Sequence, residues 1–443
     1  MKGKGAMGIT IASPPTADAS LAERYEAVRT TTEALRAPLS PEDCVVQSMT
    51  DASPTKWHLA HTTWFFEEFV LSRFTRSERF DDRFAYLYNS YYTQVGDRRP
   101  RYSRGLMTRP SLDSVLAYRA HVDERMMDLL GTARVHDEVA RIVEIGLNHE
   151  HQHQELLLTD IRHALWCGAA CESYDATPHV ASGAARQAWI EFEGGLLWVG
   201  CDGPDFCYDN EQPAHKVFLK PFALATHPVT CGQYLEFMED GGYDREHLWL
   251  DEGAAAVKAE GWQAPMYWDR KGQPGHGDWR ISTMHGERDL DPNEPVSNIS
   301  FFEAEAYARW AGARLPTETE WEAACLRDLE RSGSDWRQAM LHGHLLERGT
   351  FHPQAPTPGP GLLAGMFGSV WEWTRSGYDP YPGYAAEPGA LGEYNGKFMS
   401  SQYVLRGGSC ATASEHLRPT YRNFFHPTKR WQFSGVRLAR DTA

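Results

Sequence analysis

Two histidines one helical turn apart, His149 and His153, sit in a run from about His136 to Trp166 that carries Ile142, Ile145, Leu156, Leu157 and Ile161. Positions i and i+4 of a helix share a face. The segment His149-Glu150-His151-Gln152-His153 therefore turns two imidazoles toward one neighbour. A pair of imidazoles holds an ion only with a third ligand from another element. The second helical pattern, Trp57-His58-Leu59-Ala60-His61, offers one. Three neutral imidazoles around a borderline divalent ion leave coordination positions open.

The first third of the chain reads as helices throughout. Ser20-Leu21-Ala22-Glu23 is a capping box ahead of Tyr25, Val28 and Leu35. Ser40-Pro41 and Ser53-Pro54 each place a capping serine before a proline at the first helical position, and the second opens the helix bearing Trp57, His61, Trp64, Phe65 and Phe69. Ser111 begins another run, through Val115, Leu116, Val122 and Leu129, that stops at Gly131. Four long helices with polar connections predict a four-helix bundle, whose core is a usual place for metals held by facing helices.

A chain of 443 residues exceeds one ordinary core, so at least two domains are expected. The predicted division is a flexible N-terminus at 1–19, a helical bundle at 20–170, a linker at 171–188 where Gly, Ala, Ser and Pro interrupt all periodicity, and a second domain at 189–443. That second domain shows short β-like runs such as Gly195–Gly200, few helices (the clearest Ser300–Gly312), and long irregular stretches at 240–298 and 375–403. The fold class is thus α+β and multidomain. A net charge of −16 argues against non-specific nucleic-acid binding. No run approaches the roughly 20 apolar residues of a membrane span, and no secretory signal is visible. Eight scattered cysteines without a CxxC pair point to a reduced, cytoplasmic protein.

Specific motifs punctuate the second half: Pro228-Val229-Thr230 with Tyr234 and Phe237, Pro295-Val296-Ser297-Asn298-Ile299-Ser300, Arg314-Leu315-Pro316-Thr317-Glu318-Thr319-Glu320-Trp321-Glu322, Gly368-Ser369-Val370-Trp371-Glu372-Trp373-Thr374, Arg406-Gly407-Gly408-Ser409 and Ser434-Gly435-Val436-Arg437-Leu438. In this order they resemble the formylglycine-generating-enzyme/sulfatase-modifying domain, a variant of the C-type-lectin fold. The first half resembles the DinB-like metal-binding bundle. The combination is similar to the ergothioneine-biosynthesis sulfoxide synthases, mononuclear non-haem iron enzymes that join sulfur to the imidazole ring of hercynine (N-α-trimethylhistidine) using dioxygen.

The resemblance implies an Fe(II) cofactor held by His61, His149 and His153, with His58 and His151 as polar packing or outer groups. It implies hercynine, a thiol or selenol donor and dioxygen as partners. Gln152 matches a position reaching the substrate imidazole, or is an ordinary helix glutamine. Arg422-Asn423-Phe424 matches a segment holding the trimethylammonium group, for which an amide oxygen and an aromatic face are suitable partners. Phe425 stands where the better-known branch has an acidic residue for the amine of γ-glutamylcysteine, so cysteine is favoured as donor. Lys429 and Arg430 are candidate carboxylate partners or solvated surface cations. For the proton donor, a second branch carries a tandem tyrosine matched by Asn89-Ser90-Tyr91-Tyr92, so Tyr91 or Tyr92 is favoured; Tyr394 is the alternative after Pro382-Gly383-Tyr384. Arg98, Arg99, Arg101 and Arg104 would bind an anionic donor or form a basic face.

Four other readings stay open at this level. One is a selenoneine synthase joining hercynine to a selenosugar, with which Phe425 and His426 are compatible. A second is formylglycine generation, whose C-terminal cysteine pair is absent here. The others are a zinc-dependent thiol transferase on the same bundle and a non-enzymatic lectin-like module. Neither the donor nor the oligomeric state follows from the residues.

Overall fold

A computed structural model of the chain describes residues 9, 11, 14–16, 18–132, 135–168, 173–175, 179, 183, 186–270 and 279–442. Most of the expected N-terminal extension 1–19 and linker 171–188 lies outside them, as does Cys171. The chain forms two compact units. The first is Met1–Thr177 with Pro388–Tyr394 and Thr412–His416; the second is Pro178–Glu387 with Asn395–Ala411 and Leu417–Ala443.

The first unit is built on four helices: α1 (Leu21–Arg36), α2 (Thr55–Phe66), α3 (Leu112–Leu130) and α4 (Asp137–Cys167). Their starts follow the chemistry of exposed N–H groups at helix ends. Ser20 and Glu23 close a reciprocal capping box on α1, Ser111 accepts from the Ser114 N–H on α3, and the His136 side chain accepts from the Glu138 N–H on α4. Two expected caps behave differently. Ser40 caps no α-helix: its hydroxyl accepts from the Asp43 N–H at 3.1 Å ahead of a single 3₁₀ turn, Asp43–Val45, whose N-cap is Glu42. Ser53 does not cap α2: Pro54 holds that position without a side-chain bond, and the Ser53 hydroxyl instead accepts from Arg104 at 2.9 Å. Every residue of α2 is buried, and a π-helical turn, Glu67–Leu71, continues it.

A buried ion cluster ties three of these helices together. Glu150 on α4 is 0% exposed. It accepts from Arg29 of α1 at 2.8 Å, from Arg119 of α3 at 2.7 Å and from the Thr32 hydroxyl at 2.7 Å. Burial alone would raise the carboxyl pKa, but Arg119 and Arg29 outweigh it and pull it down to about 2. A depressed carboxylate of this kind stabilises the fold above the ordinary carboxylate range, and its contribution is lost as pH falls through about 2.

The second unit is a mixed assembly of small sheets and helices. Strands β1 (Trp189–Phe192), β4 (Phe222–Ala225) and β12 (Ala439–Asp441) form an antiparallel sheet in the order β1-β4-β12. Strands β2 (Gly195–Val199) and β3 (His215–Leu219) pair as a ribbon, and β5 (Trp268–Arg270), β6 (Trp279–Thr283) and β7 (Gly286–Asp289) make a third sheet. The fourth sheet runs β10-β9-β8-β11, from β8 (Trp371–Gly377), β9 (Tyr403–Arg406), β10 (Asn423–Phe425) and β11 (Ser434–Gly435), with β11 parallel to β8.

Helices are more numerous in this unit than the sequence suggests: α5 (Cys231–Glu239), α6 (Asp251–Glu260), α7 (Phe301–Trp310), α8 (Glu318–Ser332) and α9 (Trp336–Leu341). The region 240–298 is therefore not irregular throughout, since it holds α6 and the third sheet. α7 starts where the pattern places it, just after Ser300, and a Ser300–Glu303 capping box that the sequence reading did not single out closes its first turn.

Replacing Glu150 by alanine would leave Arg29 and Arg119 buried without a counter-charge, at a cost of about 3–5 kcal/mol. Urea unfolding followed by helical circular dichroism should show the helical transition moved to markedly lower denaturant; an unmoved midpoint would contradict the role given to this cluster.

Candidate metal centre

One stripe of α4 faces α2, made by Gly146, His149, His153 and Asp160, which recur at the helical repeat. Gly146 permits the close approach. A Cβ there would stand 2.5 Å from Phe66 Cε1 and 2.8 Å from Phe65 Cε1. With the helices this close, His61 of α2 meets both α4 histidines. The ring centroids are 4.9 Å (His61–His149), 4.8 Å (His61–His153) and 4.6 Å (His149–His153) apart, and one nitrogen from each lies within 4.8 Å of the other two. The three expected ligands are thus brought together.

The surroundings suit a metal better than they suit protonated histidine. Burial holds the imidazoles of His61 and His153 well below the usual histidine range, with His149 adding to the effect, and takes His149 down to about 4. Neutral imidazole is the form that binds a metal. His61 Nδ1 lies 2.6 Å from the carbonyl oxygen of Tyr88, which leaves Nε2 for an ion. His149 Nδ1 is buried without a protein partner, an orphaned polar atom of the kind a ligand satisfies. His58 contacts His153 and Asp160 rather than joining the group. Asp160 was not singled out from the sequence, although its place on the Gly146–His149–His153 stripe was a readable signal. The Tyr88 carbonyl left none.

Trp57 stacks on His61 at 4.4 Å, and the guanidinium of Arg104 lies 3.4 Å over the same Trp57 ring. Arg104 is 3% exposed, donates to the hydroxyls of Ser53 and Ser90, and forms no ion pair with a carboxylate among the described residues. Burial pulls its pKa down to about 9. The four expected arginines thus separate: Arg98 is exposed, Arg99 bonds the Ser103 carbonyl, Arg101 donates to the Tyr91 hydroxyl and Arg104 is buried beside the histidines' aromatic wall.

The tandem tyrosines also separate. Tyr92 is buried against Trp64 and Phe69, with burial driving its phenol far up. Tyr91 is partly exposed, and its ring packs edge-on to Tyr394 at 5.7 Å. Two of the three sequence candidates for proton donor, Tyr91 and Tyr394, are therefore neighbours within the first unit. Glu393 fixes this arrangement, accepting from the Thr93 and Gln94 backbone N–H groups at 2.8 and 2.9 Å. On another face of α4, Asn148, His151 and Glu155 meet Thr412–His416: Asn148 Oδ1 is 3.1 Å from His416 Nδ1, and Thr412 donates to Glu155 at 2.7 Å. Gln152 is partly exposed on α4, one residue off the ligand stripe.

The remaining candidates belong to the second unit. Asn423 and Phe424 lie on β10, where Phe424 stacks on Tyr378 at 4.0 Å and the Asn423 side-chain oxygen accepts from the Phe424 N–H at 2.9 Å. Phe425 packs against Trp431. Lys429 Nζ stands 5.8 Å from the same Trp431 ring. Arg430 is occupied by an ion pair to buried Glu303 at 2.9 Å and lies over Trp262. A second group of metal-binding residue types, His179, Asp291 and Glu294, escaped the sequence reading. There Arg288 already supplies positive charge to Glu294 at 2.5 Å.

Comparison with known proteins assigns residues 24–157 to the DinB superfamily and residues 177–442 to the sulfatase-modifying factor enzyme 1-like domain. The chain is 37% identical over 345 residues to a hercynine oxygenase of Mycolicibacterium smegmatis, covering 73% of this chain and 77% of that protein. It is 38% identical over 316 residues to the hercynine oxygenase of Mycolicibacterium thermoresistibile, with 67% and 68% covered. With that of Mycobacterium tuberculosis it shares 36% over 343 residues, with 73% and 77% covered.

The close approach at Gly146 gives a direct test. Gly146→Ala should cost about 1–3 kcal/mol through overpacking against Phe65 and Phe66, and should weaken metal binding as α4 moves from α2. A variant as stable and as tightly metallated as the parent, by urea unfolding and competitive metal titration, would show that the contact is not limiting.

Proposed function

The chain belongs to the hercynine oxygenase family, and from that premise we propose that it is a non-haem iron(II), dioxygen-dependent enzyme forming a carbon–sulfur bond between hercynine and a thiol donor, with a sulfoxide as product. The observation that carries this reading is the His61–His149–His153 group, with His61 and His149 buried and His153 partly exposed, three neutral imidazoles with an orphaned His149 Nδ1. The overall change balances as hercynine C–H plus thiol S–H plus O2 giving the C–S(=O) product and water. Iron(II), when bound, supplies dioxygen chemistry and open coordination positions.

The chain's own residues would position the reactants and move the proton. Asn423 and Phe424 would hold the trimethylammonium group, the amide oxygen and ring face being its available partners. Gln152, next to His153 on α4, would reach toward the substrate imidazole. Arg104, buried without a carboxylate, has the chemistry to receive the donor's carboxylate, because an unpaired buried guanidinium gains most from an anion. Lys429 is a second candidate carboxylate partner. Arg430 is a weaker one, since leaving Glu303 would strand a buried charge without its ion-pair partner. Phe425 provides no anionic partner for an amine, which favours cysteine over γ-glutamylcysteine.

Tyr91 is the favoured proton donor. Arg101 donates to its phenolic oxygen, using a lone pair and not the hydrogen that would be transferred. Tyr92 serves the fold better than the reaction, being enclosed by Trp64 and Phe69.

The decisive experiment is anaerobic reconstitution with iron(II), then oxygen uptake and product analysis with hercynine and, in turn, cysteine, γ-glutamylcysteine and a selenosugar. Sulfoxide from cysteine is expected. Stoichiometric zinc with oxygen-independent thiol transfer would replace this reading, and a selenosugar-specific product would redirect it to selenoneine formation. His149→Ala should lose most bound iron; full occupancy would remove the metal assignment.

A separate expectation concerns the tyrosines. Tyr91→Phe should keep iron and hercynine binding while lowering the rate of carbon–sulfur bond formation by about 10²–10⁴-fold. Wild-type rates in Tyr91→Phe together with loss in Tyr394→Phe would move the proton donor to Tyr394.

A further inference from the structure

The histidine group has an outer set of contacts that determines which nitrogen each ring presents. His153 Nδ1 lies 2.8 Å from His58 Nδ1, and His58 Nε2 lies 3.1 Å from Asp160 Oδ2. The same Asp160 oxygen accepts the Ser53 backbone N–H at 2.7 Å. His58 and Asp160 are both buried, so bulk water does not compete for the bonds to Asp160, while the His58–His153 contact is partly buried.

The proton positions follow from the far end of this chain. A carboxylate only accepts, so His58 Nε2 donates to Asp160. When a metal takes Nε2 of His153, the one N–H of that ring lies on Nδ1, and His58 Nδ1 accepts it. His153 Nδ1 must then donate, and the lone pair of His153 is left on Nε2. His61 reaches the same state by a shorter route, because its Nδ1 faces the Tyr88 carbonyl. Two ligands on two helices are thereby prepared to present Nε2, one through a backbone carbonyl and one through a histidine and a carboxylate.

We infer that Asp160 and His58 form a positioning relay that fixes the tautomer and ring orientation of His153 for metal binding. The relay leaves α4 at Asp160, crosses to His58 on α2, and returns to α4 at His153, two turns before Asp160. It therefore also ties the helices together beside the ion they would share. His58 lies one turn before His61 on α2, so one helix supplies both a ligand and the group that orients a ligand of the other. The inference rests on the reading that His61, His149 and His153 hold a metal.

The test is anaerobic titration of the full-length apo-protein with iron(II) against a chelator of known affinity, with the cobalt(II) absorption spectrum as a second readout. His58→Leu removes the acceptor and should weaken iron binding by about 10–100-fold, with an altered cobalt spectrum. His58→Gln retains an amide oxygen that can accept from His153 Nδ1, and should recover most of the affinity. Asp160→Leu should resemble His58→Leu, whereas Asp160→Asn keeps an accepting oxygen and should lose little. Equal affinities for the leucine variants and the parent would overturn the relay, as would glutamine performing no better than leucine at position 58. If His58→Leu does not fold, the Asp160→Leu and Asp160→Asn pair decides alone: loss only in the leucine variant supports the relay, and equal affinities overturn it. Parent protein that binds no iron would overturn the metal reading itself, a result distinct from unchanged affinity in the variants.

Discussion

The buried carboxylate of Glu150 is the constraint on which the first unit depends. Apolar contacts would stabilise α4 in several rotations about its axis, because hydrophobic burial has no direction. The bonds from Arg29, Arg119 and Thr32 do have direction, and they fix one face of α4 against α1 and α3. Since residue 150 follows 149, this choice also sets where His149 and His153 point. A charge so deep is not the most stabilising way to fill a core, because an apolar substitute of the same shape is often as stable. What it provides is a single orientation, and a site built from side chains on two helices requires one.

The second unit uses the same device more widely. Glu318 pairs with Arg406 and Arg422 at 2.8 Å each, and Glu372 with Arg437 at 2.8 Å while accepting from the Trp321 indole at 2.7 Å. Apart from Arg422, these residues belong to the Arg314–Glu322, Gly368–Thr374, Arg406–Ser409 and Ser434–Leu438 motifs that carried the family resemblance. Their work is structural: they join α8, β8, β9 and the C-terminal segment inside a domain with short strands and little regular sheet. Motifs of this kind identify a fold, while the chemistry resides in the residues the fold displays.

The same observation explains what was legible in the sequence. Helices α1 and α3 declared themselves through capping residues and apolar periodicity, α4 and α7 through periodicity alone, and the histidine group through i, i+4 spacing. α8 did not, although Thr317 and Glu320 form a capping box, because its buried face includes Glu318, Glu322 and Asp328 as well as Trp321 and Leu329. Ion pairs substitute for apolar residues there, so the hydrophobic period is broken. Ser53 shows the converse case. A serine before a proline has the pattern of a cap, but Arg104 and Asp160 recruit it from distant parts of the sequence. Tertiary bonds of that kind, like the Tyr88 carbonyl on His61, have no local signature.

The tyrosine question shows how tertiary structure changes the terms of a sequence argument. Read along the chain, Tyr91 and Tyr394 are alternatives from different branches, 303 positions apart. In the fold they touch, because the carboxylate beside Tyr394, that of Glu393, captures the backbone N–H groups of Thr93 and Gln94 just after Tyr91. Arg101 and Arg104 add a second tie. They are three residues apart on the 3₁₀ turn Arg101–Leu106, and in such a turn side chains at i and i+3 eclipse. One guanidinium therefore reaches the Tyr91 phenol, while the other lies over Trp57 beside the histidine group. A short turn thus links a candidate proton donor and a buried cation to the same wall of the first unit. Which of the two tyrosines is suited to donate a proton becomes a matter of which O–H faces the candidate metal centre, rather than of which segment of the sequence it came from.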